Sequence, residues 1–296
     1  MTDPLERLGA PESDASASAA AGALAAIVGR VHGLKSFPDT AQRLLSTICD
    51  PGHRSSEVVS IIETDPELTA KVLRLINSGA FGLRGTCESV ERCVVLLGSR
   101  QVAELAAARL ALDQFEGSGK LGKVIRLHSV SVAALSRRLA RSRPLLSGID
   151  TFTPGIIHDL GKLLQLQVDQ GQYAELLSSA PHEAETICQL ERAHFGYDHS
   201  MLAAYVMVGW NLPEFLRTVI ALHHDQAAAW KHPPRVVEAV AVLRLADHLD
   251  YALKADPAGD SAGQIAALDS AEILEMSAGD LLALWPEMLD LKKRMT

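Results

Sequence analysis

Apolar residues recur along most of this chain at intervals of three and four, the spacing that lines one face of a helix. Pro38-Asp39-Thr40 opens a segment with Leu44, Leu45 and Ile48 on one face, and Asp50-Pro51-Gly52 ends it. Ser55 or Ser56 is placed to cap the next segment, in which Val58, Val59, Ile61 and Ile62 are apolar. Asp65 is an N-cap, followed by Pro66 where a first helical residue tolerates proline. Leu68, Val72, Leu73, Leu75 and Ile76 then keep helical spacing until Asn77-Ser78-Gly79. Ser89 caps Val90 to Leu97, Gly98 terminates that segment, and a further helix follows from about Ser99 to Phe115. After Gly117-Ser118-Gly119 the same periodicity predicts helices over 124–140, 152–167, 173–178, 183–194, 199–208, 213–223 and 234–253. No run alternates long enough to argue for a strand. The expectation is an all-α, two-lobed helical bundle: a disordered leader over 1–24, helical lobes over 25–116 and 121–250, and a tail over 255–296 with one or two short amphipathic helices.

Composition narrows the classes of function. Aromatics make up only 4% of the 296 residues, so the core must be aliphatic. The 28 basic and 36 acidic residues leave a net charge of −8, which opposes nucleic-acid binding, because neutralising phosphates supplies most of such affinity. The most basic stretch, Arg137-Arg138-Leu139-Ala140-Arg141-Ser142-Arg143, reads as the solvated end of a helix, where cations complement the dipole. Cys49, Cys87, Cys93 and Cys188 form no C-x-x-C and no finger spacing, so buried reduced thiols in a cytoplasmic protein are expected. No stretch is long and apolar enough for a membrane span, and the N-terminus lacks the pattern of a secretory signal.

Chemistry concentrates in the second half. His128, His158-Asp159, His199, His223-His224 and Asp247 each fall within or at the end of a predicted helix. Imidazole nitrogen with carboxylate oxygen suits Zn, Mn, Fe or Co. Any one of these histidines alone is more commonly an ordinary polar residue at a helix end; the set is the signal. On a continuous helix His158 and Asp159 diverge by about 100°, which would suit a carboxylate placed between two ions with the histidine on one of them. Gly161 permits a close approach of another backbone or a phosphate. Lys162, one turn after His158, reads either as a point charge for a phosphate or, more commonly, as a solvated surface lysine.

His158-Asp159-Leu160-Gly161-Lys162 resembles the signature of the HD superfamily of metal-dependent phosphohydrolases. Two motifs in the first lobe narrow the resemblance to the bacterial HDOD family, an HD-related output domain. One is the Asp65-Pro66-Glu67-Leu68 helix that ends in Asn77-Ser78, with Phe81-Gly82 after it; the other is the Ser89 to Gly98 segment ending in Leu97-Gly98. The similarity spans about residues 28–250 and implies an HD-like, phosphohydrolase-type helical core. It further implies a regulatory output module in bacterial signal transduction, acting through protein–protein contacts with other signalling proteins and without established catalysis. Carried over residue by residue, it places His128, His158, Asp159 and Asp247 around one metal. His199, His223 and His224 match the extra histidines of the two-metal HD-GYP branch. The cofactor implied is one or two divalent ions (Mn, Fe, Zn or Mg), and the pocket would sense a metal, a nucleotide or a phosphate. The alternative is a metal-dependent phosphohydrolase acting on a phosphomonoester, nucleotide or cyclic nucleotide, with Asp159 and Lys162 as its catalytic residues. Gln226-Ala227-Ala228-Ala229-Trp230 stands where HD-GYP proteins carry Gly-Tyr-Pro, which argues against cyclic-di-GMP hydrolysis. Neither nucleic acid nor membrane is expected as a partner.

Overall fold

The computed structural model describes residues 38–295 apart from 51, 78–80, 82–84, 144, 145, 147, 148, 150, 180–183 and 211, together with 22, 24 and 27. The expected leader over 1–24 lies almost wholly outside the described residues. Among those described there is no strand, and the all-α class holds. The packing divides into two compact units, each assembled from separated stretches. Unit 2 comprises Phe37–Gln114, Arg126–Ile157 and Ala241–Thr296; unit 1 comprises Met1–Ser36, Phe115–Ile125 and His158–Val240. The chain therefore crosses the boundary within two long helices and before His158, rather than only at the glycine-rich turn over 117–119.

In unit 2 the first helices are α1 (Asp39–Cys49), α2 (Ser55–Glu63), α3 (Pro66–Asn77), α4 (Val90–Leu97) and α5 (Ser99–Asp113). Their ends follow local chemistry. Asp65 Oδ1 accepts the backbone N–H of Glu67 at 2.9 Å and of Leu68 at 3.0 Å, and Ser89 Oγ accepts that of Arg92 at 3.2 Å. Ser55 and Ser56 do not cap α2: Arg54 holds the N-cap position, and its N–H donates to the Glu57 carboxylate at 3.3 Å. The glutamate reaching back from the third helical position replaces the serine as the partner of the exposed amide. Gly98 closes α4 at φ 88°, with its N–H on Val94 O at 2.8 Å. Helix α5 is alanine-rich and has few charges, and Val102, Ala103, Leu105, Ala106, Ala107, Ala108, Ala111 and Leu112 are all buried. A helix apolar around most of its girth belongs inside, and α1, α2, α3 and α4 all pack on it, as does α7 (Phe152–Ile157).

Asn77, the last residue of α3, holds the segment that follows. Its Nδ2 donates to Cys87 O at 2.9 Å, and its Oδ1 accepts from Cys87 N–H at 2.8 Å. Asn77→Ala removes both partners of a buried residue's backbone, and the expected cost is about 1–3 kcal/mol. Urea denaturation monitored by circular dichroism checks this, and a wild-type midpoint would contradict the role. Cys87, Cys93 and Cys188 are free and buried, and burial with the neighbouring Cys87 pushes the Cys93 thiol up to about 12. The Cys49 side chain lies outside the described residues.

Helix α6 (Gly119–Arg141) starts five residues before the expected Val124, in the glycine-rich turn itself. Unit 1 then contributes α8 (Leu160–Val168), α9 (Gln170–Ser179), α10 (Ala184–Phe195), α11 (His199–Gly209), α12 (Glu214–Leu222) and α13 (Gln226–Ala229). The single helix expected over 152–167 is two, broken at His158-Asp159. Asp159 adopts φ −92°, ψ 14°, and its carbonyl accepts from Lys162 N–H at 3.0 Å, starting α8 afresh. Helix α11 packs on both α8 and α12. After α14 (Pro234–Ala255), the tail forms α15 (Ala262–Ala266), α16 (Asp269–Ile273) and α17 (Ala278–Met295). Helix α17 runs 18 residues with Pro286 inside it, longer than the one or two short helices expected. Trp285 and Met288 are buried, and Arg138 NH2 meets Glu287 Oε2 at 2.6 Å, so packing extends what propensity alone would cut short. No described helix is long and apolar enough to cross a membrane.

Candidate metal centre

Six of the candidate residues meet inside unit 1, and one close approach makes this possible. A Cβ added to Gly161 would lie 1.9 Å from the carbonyl oxygen of His199, so only glycine lets α8 lie this close to the first turn of α11. That approach brings His199 Nε2 to 3.5 Å from Asp159 Oδ1. His158 Nε2 is also 3.5 Å from the same oxygen. His223 follows the last residue of α12, and its ring lies 5.4 Å from those of His158 and His199, centre to centre. His224 Nε2 is 3.0 Å from His199 Nε2. The break between α7 and α8 replaces the helical divergence of about 100°, and loop geometry aims the adjacent histidine and aspartate.

Lys162 is not a solvated surface lysine. It is 5% exposed, and its Nζ lies 2.9 Å from Asp159 Oδ1 and 3.0 Å from Oδ2. A buried carboxylate needs a partner, and this cation is one.

The histidines are held from behind. Glu191 Oε2 accepts from His199 Nδ1 at 2.7 Å and from His199 N–H at 2.9 Å, while Oε1 accepts from the Tyr173 hydroxyl. His223 Nδ1 donates to Ile220 O at 2.6 Å, which leaves its Nε2 as the basic nitrogen. Burial drives His223 and His224 well below the ordinary imidazole range, and neighbouring histidines add to this. Burial acts on His199 in the same direction, but the Glu191 carboxylate overrides it and holds His199 well above that range.

The other two candidates belong to unit 2, where His128 on α6 sits between two carboxylates of α14. Its Nε2 is 2.9 Å from Asp247 Oδ1, and its Nδ1 is 2.8 Å from Asp250 Oδ2. Asp250 also accepts from the Ser131 hydroxyl and from Lys292 Nζ of α17. Burial would raise the Asp250 carboxyl, but the His128 and Lys292 bonds pull it below its usual value. Glu191, Tyr173, Asp250, Ser131 and Lys292 were all missed in the sequence. One signal was available: Asp247 and Asp250 stand three apart on one helix face.

The donors fit a divalent ion. Asp159, His199 and His223 each offer one atom, and these three lie within 4.8 Å of one another, close enough for small shifts to bring them about 2.0–2.2 Å from one centre. An imidazole with Nδ1 held by a carboxylate or carbonyl and Nε2 turned inward is the usual support of a metal-binding histidine, and His128, His199 and His223 all have it.

The HDOD domain family matches residues 34–226. The chain belongs to that family. It is similar in structure to an HDOD domain protein of unknown function from Geobacter sulfurreducens, with a TM-score of 0.72 and 22% identity, covering 92% of this chain and 96% of that one. A Shewanella amazonensis SB2B protein whose name proposes a phosphohydrolase is similar too, with a TM-score of 0.69 and 20% identity over 92% of this chain and 98% of that one. An uncharacterized protein of Treponema pallidum (strain Nichols) is 23% identical over 234 residues, 75% of this chain. The match covers 43% of the Treponema protein's length.

Proposed function

We propose that this chain is a signal-transduction module that acts through contacts with other signalling proteins, and that its His/Asp cluster holds a divalent metal in a sensing or structural capacity. The observation that carries this reading is the closure of the cluster. His158, Asp159, His199 and His223 are each at most 2% exposed. Both Asp159 oxygens are engaged by Lys162, and His199 is clamped between Glu191 and His224. Side chains so committed to one another favour a fixed binding site over one that must admit and release a substrate. Asp159, His199 and His223 would hold the ion, with Glu191 and Ile220 O fixing the imidazoles. The bound state would influence partner binding only by favouring one of two conformations.

A second reading is a metal-dependent phosphohydrolase acting on a phosphomonoester, nucleotide or cyclic nucleotide. The Lys162 ammonium beside Asp159 favours it, since that cation could meet a phosphate oxygen. A bound ion would supply polarisation of a phosphoryl oxygen and a more acidic bound water. Elemental analysis of purified wild type and Asp159→Ala, with phosphatase assays in added Mn or Fe, separates the readings. The module is expected to retain near-stoichiometric metal in wild type, lose most of it in Asp159→Ala, and turn over no phosphoester. Turnover that disappears in Asp159→Ala would establish the hydrolase, and metal-free wild type would remove the metal from both.

A further inference from the structure

Unit 2 contains a cavity of about 550 Å³ walled by Arg100, Arg137, Arg141 and Arg143, with Glu104 as its acidic residue and no histidine in its lining. Four guanidinium groups around one hollow are unexpected in a chain of net charge −8. Three of them come from the basic stretch read above as a solvated helix end. Arg137 is buried, with its guanidinium 4.4 Å from the centre of the Phe81 ring and NH2 3.1 Å from Gln101 Oε1. Arg141 NH1 donates to Phe81 O at 2.9 Å, and no described carboxylate neutralises it. Arg143 is anchored by Glu275 O at 2.8 Å and Asp280 Oδ2 at 3.1 Å, and Arg100 by Ile48 O at 2.7 Å. Arg100 NH1 also lies 3.8 Å from Glu104 Oε1, so Arg100 and Arg143 each face one carboxylate, whereas Arg141 is held by a carbonyl alone. Burial and Arg138 pull the Arg141 guanidinium below its usual range, a cost that a bound anion would offset.

The start of α5 adds to this. Gly98, Arg100 and Gln101 line the cavity at the start of this 15-residue helix, and Gly98 has no side chain to cap the first-turn amides. Planar guanidinium forks beside a helix start match a phosphate better than a point charge does. The volume lies within the range of small-molecule pockets, roughly 300–1,000 Å³, and exceeds the need of a lone phosphate. Gln101 and Glu104 on the α5 wall supply acceptors for hydroxyl or amino groups, and Leu97, Leu146 and Ala140 supply an apolar surface.

We infer that this cavity binds a phosphate-bearing small molecule of mononucleotide size, with its phosphate on Arg100, Arg137, Arg141 and the first turn of α5. The site is separate from the histidine cluster and does not depend on it. Isothermal titration of the full chain in EDTA, which removes any metal-bound anion, tests it with AMP and GMP, the matching nucleosides and citrate. Saturable binding of a nucleotide, with no binding of its nucleoside, is expected. Arg141→Gln and Arg100→Gln, both at exposed positions, should each weaken that binding about tenfold or more, a change worth about 1.4 kcal/mol. Asp159→Ala should leave it unchanged. Absence of nucleotide binding at millimolar concentration, equal binding of citrate, or unchanged affinity in both arginine variants would overturn the assignment.

Discussion

Gly161→Ala is expected to destabilise the protein by about 3 kcal/mol or more and to abolish metal retention, although the change adds one methyl group. The new Cβ would lie 1.9 Å from His199 O, 2.6 Å from its carbonyl carbon and 2.8 Å from its Cα. All three atoms are backbone, so no side chain can rotate away. Restoring ordinary contact requires α8 and α11 to part by roughly 1.5 Å. Overpacking in a core usually costs about 1–3 kcal/mol, and a clash with main chain belongs at or above the upper end. The displacement also draws His199 from Asp159 and Glu191, which disperses the donors even where the fold survives. Gly263→Ala is the control. It adds a methyl in α15 with nothing within 4 Å, and it should gain up to about 1 kcal/mol from helix propensity. Urea denaturation with metal analysis reads both variants, and an unaltered midpoint for Gly161→Ala would refute the close approach of α8 and α11.

This glycine also marks where sequence reasoning stops. Its freedom from a side chain was legible, and so was the chance of a close approach, but not the partner: His199 is thirty-eight positions away along the chain. Features set by local hydrogen bonds were readable. Asp65 before Pro66, Ser89 before Val90 and Gly98 after Leu97 all act where they stand. The break at His158-Asp159 was not readable, because Phe152 to Gln167 keeps a helical apolar pattern throughout, although the helices end at Ile157 and restart at Leu160. In the tail one or two short helices were expected, whereas burial of Trp285 and Met288 accompanies an 18-residue helix that continues through Pro286.

The site was legible to the extent that its chemistry is rare. Histidines and the His158-Asp159 pair stand out in a chain with 11 histidines. Glu191 does not, because a glutamate beside an arginine near a helix end looks like solvated surface. Lys292 is 42 positions from its partner Asp250 and lies in a Lys292-Lys293-Arg294 run near the end of the sequence, with nothing local to single it out. Residues that orient others are ordinary in type, and only the fold distinguishes them.

Glu191→Ala is expected to cost about 3–5 kcal/mol, the range for removing one partner of a buried charged network. The carboxylate is 2% exposed and serves the Tyr173 hydroxyl, the His199 N–H and His199 Nδ1 together. Removing it leaves all three donors without that acceptor, in surroundings that water would have to enter. Glu191→Gln keeps one acceptor oxygen and loses the charge, so its cost should be smaller and should depend on pH in chelator-treated protein. Burial pushes the Glu191 carboxyl up, but His199, Tyr173 and Lys162 more than reverse this, and it ends below its ordinary value of 4.5. Its contribution is therefore present above the unfolded value and lost as pH falls through the folded one. His199 is shifted the opposite way, from 6.5 to well above it, because Glu191 overrides burial. Its contribution is complete below the unfolded value and lost as pH rises through the folded one. The two windows overlap between 4.5 and 6.5, where the stability gap between wild type and Glu191→Gln should be widest. Urea midpoints measured across that interval and on both sides of it decide the matter: a gap independent of pH would mean that Glu191 and His199 do not form a charged pair.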